Sequence, residues 1–165
     1  MIFAPIPGQA GINWRLTQKF GGNHDYYQKY GLAGHNGHDI GTPVGTNLYS
    51  PIEGYVHYGD EGKIGYGKFV TITSLPYLED GSRRQLTIGH LSHFVAGLEG
   101  KYVAAGDLVA ISGNTGDSTG PHIHITYKKL DKDGKTLNRD NGFHGALDVG
   151  QYIQLWQRGN VLIIK

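Results

Sequence analysis

At 165 residues, with 38% apolar residues and no cysteine, the chain can bury a hydrophobic core but offers neither disulfides nor thiolate metal ligands. The formal net charge of +1 argues against a nucleic-acid partner, which calls for a strongly basic surface. No apolar run approaches the length of a membrane span, so membrane insertion is not expected.

Short strands separated by turns are the dominant pattern of the sequence. The chain contains 27 glycines and 6 prolines and no long segment of helical periodicity, which is typical of a mainly β protein. Without an internal repeat or a linker, residues 1–165 are predicted to form a single domain with its core at about residues 16–157. We expect an antiparallel β-sheet with short helices and long loops around a cleft.

Apolar runs bounded by turn residues predict the strands. In chain order they are Leu16–Phe20, Asn47–Ser50, Gly54–Tyr58, Lys68–Ser74, Arg84–His90, Tyr102–Val103, Asp107–Ser112, a strand beginning at His122, and an edge strand at Val161–Ile164. The segment before Arg15 contains proline and glycine and is expected to lead into the first strand. Trp14, within it, is predicted to be a core or lid contact.

Four segments between the strands carry their own predictions. Asn23–Gly31, with three tyrosines, is expected to form a loop at the rim of the cleft, and the charged Lys128–Asn141 a solvated loop. Leu91–Val95 is expected to begin a helical turn capped by Ser92. Asp148 is predicted to cap a short helix. The apolar face of that helix is formed by Val149, Tyr152, Ile153 and Trp156.

A pair of histidines follows the turn at Gly120-Pro121. In His122-Ile123-His124-Ile125 the imidazoles alternate with branched aliphatic side chains, the period-2 pattern of a strand with one buried face. His122 and His124 therefore stand side by side on one face, while the isoleucines point to the core. Two imidazoles on a rigid strand provide either one metal ligand and one proton-transfer group, or two ligands.

Two more histidines and an aspartate extend this set. His35 and Asp39 lie on either side of Gly37, and in an extended segment residues four apart face the same side, with His38 pointing away. Catalytic zinc sites usually combine three nitrogen or oxygen ligands with an open position, which His35, Asp39 and a histidine of the later pair could supply. His90 ends a predicted strand, where a side chain is held firmly at a cleft.

The sequence from about Phe20 to Tyr127 resembles the zinc metallopeptidases of the lysostaphin type, also called the M23 or LytM-like family. Three motifs, in the family's order, carry the resemblance: His35-Asn36-Gly37-His38-Asp39, Gly89-His90-Leu91-Ser92 and Ser118-Thr119-Gly120-Pro121-His122-Ile123-His124. The segment from Leu147 to Ile153 is similar to the family's closing segment. The resemblance implies the LytM/lysostaphin-like antiparallel β-sheet fold.

The resemblance also implies a role for each side chain of the motifs. His35 and Asp39 match the first two zinc ligands and His124 matches the third, for one Zn²⁺ per chain. His90 and His122 match the two histidines that handle protons, either of which can act as general base. The family has a further donor, a tyrosine before its first ligand. Its register is open among Tyr26, Tyr27 and Tyr30, of which Tyr30 is favoured.

The implied activity is that of a zinc-dependent endopeptidase, acting as a monomer on the stem or cross-bridge peptides of bacterial peptidoglycan. Gly-Gly, D-Ala-Gly and D-Ala-diaminopimelate bonds are all open as the scissile bond. The N-terminus has no secretory signal, so the protein is expected to be made in the cytoplasm and to act on the wall. This combination resembles a bacteriophage endolysin or a virion-associated wall hydrolase.

Three other functions are compatible with the same histidine-rich sequence. The chain could be an inactive family member that activates another wall hydrolase, a structural component of a phage tail, or an unrelated metallohydrolase. The five key positions are all occupied by the family's residues, which disfavours an inactive member. The glycine and proline turns around the histidines match as well, which disfavours an unrelated enzyme.

Overall fold

Antiparallel strands build the described part of the molecule. A computed structural model describes residues 2–7, 15–77, 79–151 and 161–164. Within these ranges the strands are β1 (Ile2–Pro7), β2 (Arg15–Gln18), β3 (His38–Gly41), β4 (Asn47–Tyr49), β5 (Gly54–Asp60), β6 (Lys68–Thr73), β7 (Arg83–Gly89), β8 (Leu91–Phe94), β9 (Tyr102–Val103), β10 (Leu108–Ser112), β11 (His122–Leu130), β12 (Ala146–Leu147) and β13 (Val161–Ile164). A helical turn, α1 (His24–Tyr27), continues as a 3-10 turn over Gln28–Tyr30, and another 3-10 turn covers Val149–Gln151.

The largest sheet of the described residues has the strand order β2-β3-β11-β7-β6-β5-β9, with β12 also paired to β11. A smaller sheet has the order β4-β10-β8, and β1 pairs with β13. Side chains from both sheets and from β1 belong to the same hydrophobic cluster, so these elements share a core. The prediction of a mainly β, antiparallel fold is confirmed.

Alternation along β11 separates a core face from a site face. Ile125 lies opposite Ile88 on β7, which lies opposite Val70 on β6, and all three side chains are fully buried. On the other face, His124 lies opposite Asp39 of β3. The buried row fixes the register, because a slip of one residue would turn the isoleucines outward and the histidines into the core.

The strand predictions agree with the structure to within two residues at each end. The segment before Arg15, predicted only to lead into the first strand, contains β1, which pairs with β13. Asp148 Oδ1 accepts the Gly150 N–H at 2.9 Å and so caps the 3-10 turn, as predicted for the start of a helix. Tyr152, Ile153, Trp156 and Trp14 lie outside the described residues.

Three local predictions are wrong. Leu91–Phe94 forms β8 instead of a helical turn, because Ser92 Oγ donates to the Ile111 and Ser112 carbonyls of β10 rather than to a helix terminus. The tyrosine segment, predicted as a loop, contains α1 and the 3-10 turn that follows it. The solvated loop predicted from Lys128 begins later, since β11 stays paired with β7 as far as Leu130.

None of the described helices has the length and apolar character to cross a membrane.

Candidate active site

Three donor atoms converge where β3 and β11 pair. His35 Nε2 lies 2.9 Å from His124 Nδ1 and 3.1 Å from Asp39 Oδ1, and Asp39 Oδ1 lies 2.8 Å from His124 Nδ1. All three side chains are buried. The structure therefore brings together the three residues that the sequence analysis named as metal ligands, which we call the donor trio.

Gly37 allows His35 and Asp39 to approach β11. A Cβ at this position would lie 2.4 Å from the Ile125 carbonyl oxygen and 2.6 Å from His124 Nε2, so no larger residue fits without a shift of the chain. His38 points away from the trio, as predicted, and its Nε2 donates to Asp148 Oδ1 at 2.7 Å. The backbone at Gly37 packs directly against the His124 ring.

The protonation of the donor trio fits a site for a cation. His35 Nδ1 must donate to the Lys19 carbonyl, 3.2 Å away, because a carbonyl only accepts. Burial opposes ionisation of Asp39, but the adjacent imidazoles of His124 and His35 outweigh this effect, and the pKa of this carboxyl lies well below its usual range. Once the His124 Nδ1 proton leaves, the lone pairs of His124 Nδ1 and His35 Nε2 and the carboxylate of Asp39 face one point in a buried site. That donor set suits Zn²⁺, which displaces protons from its ligands.

A chain of hydrogen bonds supports the outer side of His124. Its Nε2 lies 2.8 Å from Thr126 Oγ1, which lies 3.2 Å from the Tyr66 hydroxyl, and that hydroxyl accepts from Asn36 Nδ2 at 3.3 Å. Burial raises the pKa of Tyr66, so its hydroxyl stays protonated at neutral pH. Neither Thr126 nor Tyr66 was predicted from the sequence to belong to the site. Strand periodicity could have found Thr126, two residues beyond His124 on the same face.

Two more imidazoles, His90 and His122, flank the trio. Their ring centroids are 4.5 Å apart, and His122 Nε2 lies 3.7 Å from Asp39 Oδ2. His90 Nδ1 donates to the Thr115 carbonyl and His122 Nδ1 to the Gly120 carbonyl, each at 2.7 Å. Because carbonyls only accept, these bonds fix both tautomers and leave each Nε2 able to accept a proton.

The backbone of His90 is unusual for a non-glycine residue. Its φ of 62° is left-handed, and β7 ends one residue earlier than predicted, at Gly89. The His90 N–H donates to the Tyr66 carbonyl at 2.8 Å, which holds this conformation. Burial, and secondarily the neighbouring His122, lower the pKa of His90 to about 4, so the ring is neutral at pH 7.

A cavity of about 390 Å³ opens beside His90 and His124, and both of these residues and Tyr66 belong to its lining. At its rim the Tyr30 hydroxyl donates to the carboxylate of Asp117, and the Tyr26 hydroxyl donates to the same oxygen at 2.8 Å. These bonds join the helical segment 24–30 to the loop that follows β10. Tyr30, the favoured extra donor, therefore lies at the cavity with its hydroxyl engaged by Asp117. Tyr27 instead packs against His35, with ring centroids 5.2 Å apart.

A β-sheet floor with a buried trio of metal-type donors and two flanking imidazoles at a cleft is typical of a peptidase that can bind a metal ion. The family model described as "Peptidase family M23" matches residues 33–139, and the chain belongs to that family. The resemblance noted in the sequence is thus confirmed.

Individual relatives agree with this family assignment. The peptidoglycan DD-endopeptidase ShyA of Vibrio cholerae is 31% identical over 111 residues, which are 67% of this chain and 24% of ShyA. The chain spans about a quarter of the length of the curated relatives it matches.

Two solved structures share the fold. A zinc-containing peptidase from Vibrio cholerae superposes with a TM-score of 0.60 at 24% identity, covering 83% of this chain and 39% of that one. Lysostaphin from Staphylococcus simulans superposes with a TM-score of 0.61 at 22% identity, covering 88% of this chain and 51% of that one. At these identities the likeness establishes the LytM/lysostaphin fold.

Proposed function

We propose that the chain is a zinc-dependent endopeptidase that hydrolyses peptide bonds in the stem or cross-bridge of bacterial peptidoglycan. The observation that carries the proposal is the donor trio, whose three facing atoms lie 2.8–3.1 Å apart in a buried site. Membership of family M23 supports peptidase chemistry, and the name of the relative ShyA supports a substrate in the bacterial wall.

In this proposal His35, Asp39 and His124 hold one zinc ion. The bound ion would lower the pKa of water and polarise the substrate carbonyl. The supporting bonds of the trio orient the ligands: the Lys19 carbonyl fixes the tautomer of His35, and Thr126 holds the ring of His124. Both ligands are therefore set in place before a substrate arrives.

His90 and His122 are proposed to move the proton. Each keeps its Nδ1 proton on a backbone carbonyl and presents Nε2, so either can accept a proton during attack. The pair then returns the proton to the leaving amine, and the imidazolium formed in between adds positive charge beside the developing oxyanion. The Tyr30 hydroxyl, released from Asp117, is proposed as an additional donor to that oxyanion.

The test combines metal analysis with digestion of purified sacculi from several wall types. We expect about one zinc per chain, and peptide fragments that mass spectrometry assigns to a single bond type. Chelation should abolish the cleavage, and added zinc should restore it. Undiminished cleavage after complete metal removal, or release of glycan fragments without peptide cleavage, would contradict the proposal.

A further inference from the structure

Lys128 lies on the same face of β11 as the active-site residues. Side chains two apart on a strand share a face, so His122, His124, Thr126 and Lys128 form one row. The Cα atoms of His124 and Lys128 are separated by four residues of strand, about 13 Å. The half-buried Lys128 side chain lines the same cavity as His124.

The ammonium of Lys128 lacks an anionic partner among the residues that the structure describes. It forms no ion pair or hydrogen bond with them. Both acidic side chains that these residues contribute to the cavity lining are already engaged. Asp117 accepts from Tyr30 and Tyr26, and Glu61 Oε2 accepts the Tyr66 N–H at 2.7 Å.

A second cation strengthens the positive potential at this point. Arg139, on the loop that follows β11, is close enough for its charge to act on Lys128. Burial, and then the charge of Arg139, lower the pKa of Lys128. A half-buried ammonium without a counter-ion is costly, and a carboxylate arriving with a ligand would stabilise it.

We propose that Lys128 binds a carboxylate of the substrate peptide, so that the enzyme selects peptides with a free acid near the scissile bond. The inference rests on the proposed peptidase function and adds a substrate preference to it. An extended peptide rises 3.3–3.6 Å per residue, so the distance of about 13 Å between the Cα atoms of His124 and Lys128 corresponds to about four peptide residues, and the length of the lysine side chain shortens this span. In stem peptides, D-glutamate and diaminopimelate both carry suitable carboxylates, and each can be prepared as the carboxamide.

The experiment compares kcat/KM for three versions of one cross-linked stem peptide: both acids free, amidated at D-glutamate, and amidated at diaminopimelate. One of the two amidations should lower kcat/KM of the native protein by about tenfold and so identify the acid. Lys128→Met should lower kcat/KM for the free acid by a similar factor and remove the discrimination, which Lys128→Arg should partly restore. Lys129→Met is the matched control, because Lys129 points to the opposite face of β11, where its charge acts on Asp80.

Equal kcat/KM for all three peptides with the native protein would overturn the proposal, as would discrimination that survives in Lys128→Met. If no peptide is cleaved at all, the peptidase function fails, and calorimetric binding of the same peptides decides on the carboxylate site. Tighter binding of the free acid that is lost in Lys128→Met supports the site. Equal affinities of the native protein for acid and amide overturn it.

Discussion

Asp39 and His124 lie directly opposite each other in the register of β3 and β11, with Asp39 Oδ1 2.8 Å from His124 Nδ1. They are separated by 85 residues in the sequence, so the pairing of two strands brings these atoms together. His35 reaches them from the segment before β3, where its Nδ1 is held by the Lys19 carbonyl. Two members of the donor trio are thus fixed by sheet register and the third by a hydrogen bond to the Lys19 carbonyl, 16 residues earlier in the chain.

Substitutions in the trio and in the flanking pair should have different effects. His124→Ala and Asp39→Ala should lower zinc content, because each removes a donor atom. His122→Ala and His90→Asn should retain zinc but lower kcat at least about 100-fold, because each removes an imidazole that we propose carries the proton. Asparagine is chosen at position 90 because it tolerates the left-handed backbone found there. Elemental analysis and peptide cleavage measure the two effects, and native-rate cleavage by His90→Asn would contradict the assignment.

The hydrogen-bond chain behind His124 should tune metal affinity. Thr126→Val keeps the side-chain shape but removes the partner of His124 Nε2, and we expect zinc affinity to fall about tenfold. Tyr66→Phe, one step further along the chain, should have a smaller effect in the same direction. Thr126→Ser restores the hydroxyl and serves as the control. Zinc competition against a chromophoric chelator gives the affinities. Native zinc affinity in Thr126→Val would show that the hydrogen bond between Thr126 and His124 does not contribute to metal binding.

The sequence was most informative where a side chain's position follows from strand periodicity. Alternation placed His122 and His124 on one face and Ile123 and Ile125 in the core, where both isoleucines are fully buried. The spacing of His35 and Asp39 indicated convergence for the same reason. These predictions needed only the local backbone, which a short run of residues determines.

Predictions failed where a distant backbone partner decides the outcome. Ser92 is a good helix cap, but here carbonyls of β10 take its hydroxyl, and no local pattern reveals them. The left-handed backbone of His90 was not predicted, because the strand pattern of β7 runs up to Gly89 and gives no sign that the next residue leaves the strand. The bond from Tyr30 to Asp117 joins residues 87 apart, so a tyrosine-rich segment alone could not predict it.

Gly37→Ala should disturb both the fold and the metal site. The added Cβ would lie 2.4 Å from the Ile125 carbonyl oxygen and 2.6 Å from His124 Nε2, so the backbone must move away from His124, a proposed zinc ligand. We expect a loss of about 1–3 kcal/mol in the free energy of unfolding, together with weaker zinc binding. Gly120→Ala is the control, since a Cβ there meets no atom within 4 Å. Urea unfolding of the chelated proteins measures the difference, and equal stability of the two variants would rule out the predicted clash.

The stability of the metal-free protein should depend on pH through His90. Its pKa is lowered from 6.5 to about 4 in the folded state, so between these values the unfolded chain binds the proton more readily. The contribution of His90 to the free energy of unfolding is fully present above pH 6.5. It is lost as the pH falls towards 4, by up to about 1.4 kcal/mol per pH unit. Burial also lowers the pKa of His124, which therefore affects stability in the same direction. His90→Asn should thus reduce the dependence of the unfolding free energy on pH without abolishing it. Urea unfolding at pH 7, 6 and 5 in the presence of a chelator measures both slopes, and identical slopes would mean that His90 does not fold as a buried neutral imidazole.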